Sequence, residues 1–218
     1  MPESSYRERL QASILSVARE IVSSDGLQGL QARRIAQGAG CSVGTIYNLY
    51  NGLDDLIIKV NAATVGQLCD LLNAENKQSI GLSLSDRLLA LGMSYLKFAF
   101  ENQASWRAVF QHQLPQDRFI PDWYRERQVL LFQPMADILA EVAPEIDQRL
   151  QLARTLFSSL HGIISIALDP KLGDFDREAT IGQIQLVVVA TARDIAHRQS
   201  SAQGSRADEF GDVDRVRN

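Results

Sequence analysis

The chain has 218 residues, 45% of them hydrophobic, a proportion normal for a globular protein and long enough for one large domain or two small ones. Its formal net charge of −4 argues weakly against nucleic-acid binding through bulk attraction. The two cysteines, Cys41 and Cys69, fit reduced thiols better than a disulfide framework, and no leader pattern or apolar run of membrane-spanning length is read, so a cytoplasmic protein with no membrane partner is expected.

Six prolines and few strand-like alternating runs favour an all-α fold. The first helix is expected from Tyr6 to Ser24, with Leu10, Ile14, Val17, Ala18 and Ile21 at helical spacing. Asp25-Gly26 breaks it. A short helix from Ala32 to Gly38 follows, then another from Val43 to Leu49. Asn51-Gly52 makes a turn. A fourth helix runs from about Leu53 to Leu72, and Asn73 to Leu82 reads as a polar linker. The fifth helix opens at Ser85-Asp86 and reaches Glu101. A sixth spans Ala104 to Gln111, and a polar loop covers His112 to Pro121. The seventh starts near Asp122 and should kink or break at Pro134, which removes a helical hydrogen bond. Pro144 opens an eighth at its favoured N-terminal position, and that helix extends to Leu168. The ninth runs from about Arg177 to His197. Residues 199–218 have almost no apolar side chain and are expected to be disordered.

The most informative stretch is LQARRIAQGAGCSVGTIYNLYNGLDDL, Leu30 to Leu56. Gly40 stands where the first of its two short helices must stop, and glycine takes a left-handed conformation there without steric penalty. Ser42 offers its hydroxyl to the unpaired N–H groups of the next helix. That helix exposes small and polar residues and ends in aromatics, which suits a DNA major groove.

These residues resemble the DNA-binding domain of the TetR family of transcriptional repressors. The resemblance rests on Ile35-Ala36, Gly40, Ser42, Gly44-Thr45-Ile46-Tyr47, Tyr50 and Asp55-Leu56. At motif level it covers about a quarter of the chain, and in length and helix order nearly all of it. Two positions depart from the pattern. Leu53 stands where the family usually has a lysine that contacts DNA phosphate, and Gln31 stands where it favours a Thr or Ser cap.

The expected DNA-binding residues are Arg33, Arg34, Ser42, Val43, Gly44, Thr45, Tyr47 and Asn48. The resemblance implies that Thr45 and Tyr47 contact phosphates or bases, that Asn48 faces the groove, and that Arg33 reaches a base or a phosphate. Asparagine reads adenine through paired donor and acceptor bonds. The alternative makes Tyr47 a core aromatic and Asn48 a cap. Residues 1–60 hold Arg7, Arg9, Arg19, Arg33, Arg34 and Lys59 against Glu3, Glu8, Glu20, Asp25, Asp54 and Asp55, so binding must rest on local placement.

The second half is rich in aromatics. Tyr95, Phe98, Trp106, Phe110, Trp123, Phe157 and His161 read either as an apolar ligand pocket with a few polar groups or as an aromatic core. The Ser-Leu-His-Gly run resembles a subgroup of TetR-like C-terminal domains carrying a His-Gly pair. His161 is a polar pocket group on one reading and a hydrogen-bonded core histidine on the other. The eighth helix is apolar on two faces and must be buried on both. With Gly162 as a low-relief point, this places Leu160, Gly162, Ile164, Ile184 and Val188 at an expected dimer interface, which the resemblance also implies.

No catalytic constellation, metal-ligand spacing or phosphate-cradling loop is read, and His112, His161 and His197 are scattered. No cofactor and no metal are expected, and the chain is not read as an enzyme. The expectation is an all-α protein of about nine helices. It comprises a helix-turn-helix domain over 1–52, a connecting helix over 53–74, a ligand-binding and dimerisation domain over 75–198 and the tail. Its function would be that of a ligand-responsive DNA-binding regulator, a repressor, reading a near-palindromic operator as a homodimer. The alternative is a helical small-molecule-binding or adaptor protein without specific DNA binding.

Overall fold

The computed structural model describes residues 3–116, 118–169, 171–172 and 176–211, and among these there are ten α-helices, one short 3-10 turn and no strand. In chain order they are α1 (Glu3–Asp25), the 3-10 turn (Leu27–Gly29), α2 (Ala32–Ala39), α3 (Val43–Leu49), α4 (Leu53–Gln78) and α5 (Leu84–Glu101). Then come α6 (Gln103–Gln111), α7 (Asp122–Val129), α8 (Gln133–Leu139), α9 (Ile146–Ala167) and α10 (Arg177–Gly211). The all-α expectation is met.

Several boundaries differ, each for a local reason. The expected seventh helix is two, α7 and α8, and Pro134 sits in the first turn of α8, where its missing N–H costs nothing. Helix α4 runs on to Gln78 because Ala74, Glu75, Lys77 and Gln78 are good helix formers. The linker shrinks to a turn in which Gly81 takes φ 93°. Ser83 then caps α5, accepting from the Asp86 N–H at 3.2 Å while its hydroxyl donates to the Asp86 carboxylate at 2.6 Å. Pro144 does not open α9, which begins two residues later at Ile146. Residues 199–211, expected to be disordered, continue α10 as helix although the run holds three serines and two glycines. Residues 212–218 lie outside the described residues.

The chain divides into two compact units, and the division is not linear. One comprises Met1–Asn73 with Tyr95–Leu131, the other Ala74–Ser94 with Phe132–Asn218. The expected boundary near residue 74 therefore misses a return of the chain. In the first unit, Ala108 of α6 joins Ile14, Ile35, Ile46, Leu56 and Val60 in one core cluster. Asn61 of α4 donates through Nδ2 to the Ala108 carbonyl oxygen at 3.2 Å.

The core of the second unit holds Leu88, Ile138, Leu139, Leu160, Ile164, Ile184 and Val188. A methyl group on Gly92 of α5 would stand 3.1 Å from Ile184 Cγ2 and 3.5 Å from Leu160 Cδ1. Glycine there lets α5 approach α9 and α10 closely. Arg87 ties the same unit together, donating to Glu141 Oε1 at 3.0 Å and Asn76 Oδ1 at 3.1 Å.

Candidate nucleic-acid interface

Helix α2 ends in a complete Schellman motif. Gly40 adopts φ 65°, ψ 35°, its N–H donates to the Gln37 carbonyl, and the Cys41 N–H donates to the Ala36 carbonyl at 2.9 Å. The chain turns there and restarts as α3. Ser42 caps α3 by accepting from the Thr45 N–H at 3.1 Å, and the two hydroxyls meet at 2.8 Å. By contrast Gln31 precedes α2 without any side-chain capping bond.

The seven residues of α3 sort cleanly by face. Ile46 is fully buried, and Val43 and Leu49 pack against the same core cluster. Tyr50, just past the helix, is also buried, and its hydroxyl donates to the Gln11 carbonyl oxygen at 2.9 Å. Burial pushes the Tyr50 phenol up to about 12, with the Asp55 carboxylate adding to the effect. The opposite face presents Gly44, Tyr47 and Asn48 to solvent. Tyr47 is 53% exposed, so it is not a core aromatic.

Other expected DNA-binding residues are placed as follows. Ser42 is exposed, Thr45 is half-buried with its hydroxyl on Ser42, and Val43 turns toward the core. Arg33 and Arg34 are exposed on α2, but Arg34 is paired with Asp25. Leu53 is half-buried and packs against the first unit's core.

Sequence reasoning missed a polar cluster around the turn after α3. Asp54 Oδ1 lies 3.0 Å from His112 Nε2, and Asp54 Oδ2 lies 3.7 Å from Arg118 Nη1. Arg118 Nη1 also donates to the Asn51 carbonyl oxygen at 2.9 Å. His112 and Arg118 come from the loop between α6 and α7, and no local sequence signal links them to Asp54.

The aromatic residues expected to line a pocket fall in both units. In the first, Tyr95, Phe98 and Trp106 are buried, and Trp106 Nε1 donates to the Tyr95 hydroxyl at 3.1 Å. Phe110 rests on Trp106 with ring centroids 5.3 Å apart. Trp123 is exposed, with Lys59 Nζ 5.3 Å from its ring centroid. In the second unit, Phe157 stacks on His161 one helical turn away, at 6.1 Å, and burial lowers the His161 imidazole from its ordinary value. The first unit also holds a cleft of about 510 Å³, and its lining is polar. Ser16, Arg19 and Glu20 of α1, Thr64 and Gln67 of α4, and Asn102 beside α6 contribute to it, and none of the expected aromatics does.

The expected dimer residues need correcting. Leu160, Ile164, Ile184 and Val188 are at most 1% exposed within a single protomer, because they fill its own core around Gly92. Gly162 alone among the five faces open space. Among the described residues, the exposed large apolar side chains of these helices are Ile146 and Ile166 of α9 and Leu186 of α10.

Residues 88–189 match the family described as tetracyclin repressor-like, C-terminal domain. This part of the chain is a TetR-like C-terminal domain. The HTH-type transcriptional regulator Rv1816 of Mycobacterium tuberculosis is 24% identical to the chain over 116 residues, covering 53% of the chain and 50% of that protein. Its counterpart Mb1846 in Mycobacterium bovis matches equally. The chain thus spans about half the length of the curated relatives it matches.

Solved structures share the fold. A protein of unknown function from Rhodococcus sp. RHA1 superposes with a TM-score of 0.64 at 18% identity, covering 85% of this chain and 93% of that one. The fatty acid degradation regulator FadR from Bacillus halodurans gives 0.60 at 17% identity, covering 82% and 93%. In this TetR-like fold α3 follows the Gly40 turn. Among the described residues no helix is long and apolar enough to cross a membrane.

Proposed function

We propose that this chain is a DNA-binding transcriptional regulator that places α3 in the major groove. The observation that carries the reading is the two-sidedness of α3. Its inner face is locked into the core through Ile46 and Tyr50, while Gly44, Tyr47 and Asn48 stand free on a pre-set helix. A rigid helix with a polar exposed face loses little entropy on docking. Arg33 supplies a cation beside it. The TetR-like C-terminal domain and the HTH regulators among its relatives support the same reading.

The finer reading is a cytoplasmic, ligand-responsive repressor acting as a homodimer on a near-palindromic site. Two protomers related by a two-fold axis present two copies of α3 to two half-sites. The surface we assign to the partner is the exposed side of α9 and α10, with Ile166, Leu186 and the open glycines Gly162 and Gly182. A small-molecule effector bound among the aromatics would release DNA only by favouring a DNA-incompetent arrangement.

The test is a titration of the purified chain against duplexes from the DNA flanking its own gene. Saturable binding to one duplex, resistant to competitor DNA and lost in Tyr47→Ala, is expected. If no flanking duplex is preferred over a mixed-sequence one, the helical small-molecule-binding or adaptor protein is the better account.

A further inference from the structure

The surface offered to DNA is poor in positive charge. No lysine or arginine occurs between Arg34 and Lys59, a stretch that contains all of α3, and Asp54 and Asp55 add two acids. Arg33 is exposed beside α3, while the other two flanking cations are engaged. Arg34 pairs with Asp25, and the Lys59 ammonium lies over the Trp123 ring. Phosphate binding draws its strength from neutralising cations, so such a segment needs charge delivered from elsewhere in the fold.

The fold delivers a further cation at the turn after α3. The α6–α7 loop carries Arg118 onto the Asn51-Gly52 turn, directly after the recognition helix. Its Nη1 donates to the Asn51 carbonyl oxygen at 2.9 Å, which fixes the guanidinium at this turn. Gly52 takes φ 95°, a conformation that favours glycine, and a methyl group there would stand 3.2 Å from Nη1, closer than an ordinary contact. The side chain stays 38% exposed. Asp54 neutralises it only in part: the separation is 3.7 Å, and the other carboxylate oxygen is engaged by His112 at 3.0 Å. Nη1 makes both contacts, and a guanidinium has further N–H donors on Nε and Nη2 for an anion.

We propose that Arg118 is a DNA-phosphate contact, supplied by the α6–α7 loop at the C-terminal end of the recognition helix. This rests on the DNA-binding reading above. A backbone contact carries no sequence information, so Arg118 adds affinity on every duplex and sets how far α3 enters the groove. His112 Nε2 lies 3.0 Å from the oxygen of Asp54 that Arg118 does not approach.

The experiment measures binding of the full chain to a labelled mixed-sequence DNA duplex by fluorescence anisotropy across a series of monovalent salt concentrations. The variants are Arg118→Gln and Arg118→Lys. Glutamine removes the charge and keeps an amide donor on a shorter side chain, and the lysine variant keeps the charge without the guanidinium fork. Arg118→Gln is expected to flatten the plot of log affinity against log salt by about 0.9 per bound protomer. Arg118→Lys is expected to keep the parent slope. A parallel line for Arg118→Gln overturns the proposal while leaving the DNA-binding reading intact. A weaker but parallel line with a lower unfolding midpoint also overturns it, since Arg118 then only holds the turn. A parent chain that shows no salt-dependent binding overturns the DNA-binding reading and this proposal with it.

Discussion

The Tyr50 hydroxyl donates to the Gln11 carbonyl oxygen at 2.9 Å, and Gln11 Nε2 donates back to the Leu49 carbonyl oxygen at 3.4 Å. This pair fastens the end of α3 to α1, so the exposure of Tyr47 and Asn48 is fixed by a buried anchor three and two residues on. Tyr50→Phe should lower unfolding stability by about 1 kcal/mol, the net worth of a typical buried hydrogen bond. Urea denaturation of the two proteins measures it, and equal midpoints would show that the anchor is only packing.

The same phenol makes stability pH-dependent in the alkaline range. Burial, with Asp55, holds its proton up to about 12, whereas the unfolded chain releases it near 10. Above pH 10 the unfolded state therefore binds fewer protons than the native state, and stability falls as pH rises toward 12. Below 10 this contribution is fully present. Tyr50→Phe should show a shallower alkaline loss. Tyr95 and Tyr124, also raised by burial, keep the dependence from vanishing.

Gly40→Ala tests the turn between α2 and α3. Its φ of 65° is left-handed, and nothing lies within 4 Å of an added methyl group. The cost is therefore conformational and not steric crowding by neighbours, about 1–2 kcal/mol. Gly40→Asn should cost less, because asparagine tolerates this region better. Equal melting temperatures for the parent and the alanine variant would remove the claim that this turn needs glycine.

What was legible in the sequence was local. Gly40, Ser42 and the 3.6-residue spacing each act within a few residues, so the two short helices and their caps were found. The sides of α9 were not separable. A helix apolar on two faces does not announce which face meets its own protomer, and it is Gly92 of α5 that draws Leu160 and Ile184 inward. Arg118 was invisible for a related reason: it reaches the Asn51-Gly52 turn only because the chain returns to the first unit within α5.

That sorting gives opposite outcomes for two leucines. Leu186→Arg, at a position 71% exposed on α10, should yield a folded chain that sediments as a monomer at micromolar concentration. Leu160→Arg places a charge in the second unit's core and should fail to fold stably, at a cost of several kcal/mol. Circular dichroism and analytical ultracentrifugation separate the two. A Leu186→Arg protein that remains dimeric would move the interface off this face.

Leu53 offers a test of charge placement at the same turn as Arg118. It packs partly against the first unit's core, so Leu53→Lys loses some apolar burial. The lysine stem can keep part of that contact while its ammonium reaches outward, and the stability loss should stay near 1 kcal/mol, a fraction of a fully buried leucine. If the ammonium meets a phosphate, the salt dependence of log affinity steepens by about 0.9 per protomer. Because position 53 adjoins the turn that Arg118 covers, Leu53→Lys should restore the slope lost in Arg118→Gln when the two are combined. The double variant is measured on the same mixed-sequence duplex. A slope that stays at the Arg118→Gln value, together with a lower unfolding midpoint, would mean that residue 53 faces the core alone and that the phosphate path passes the turn on the Arg118 side.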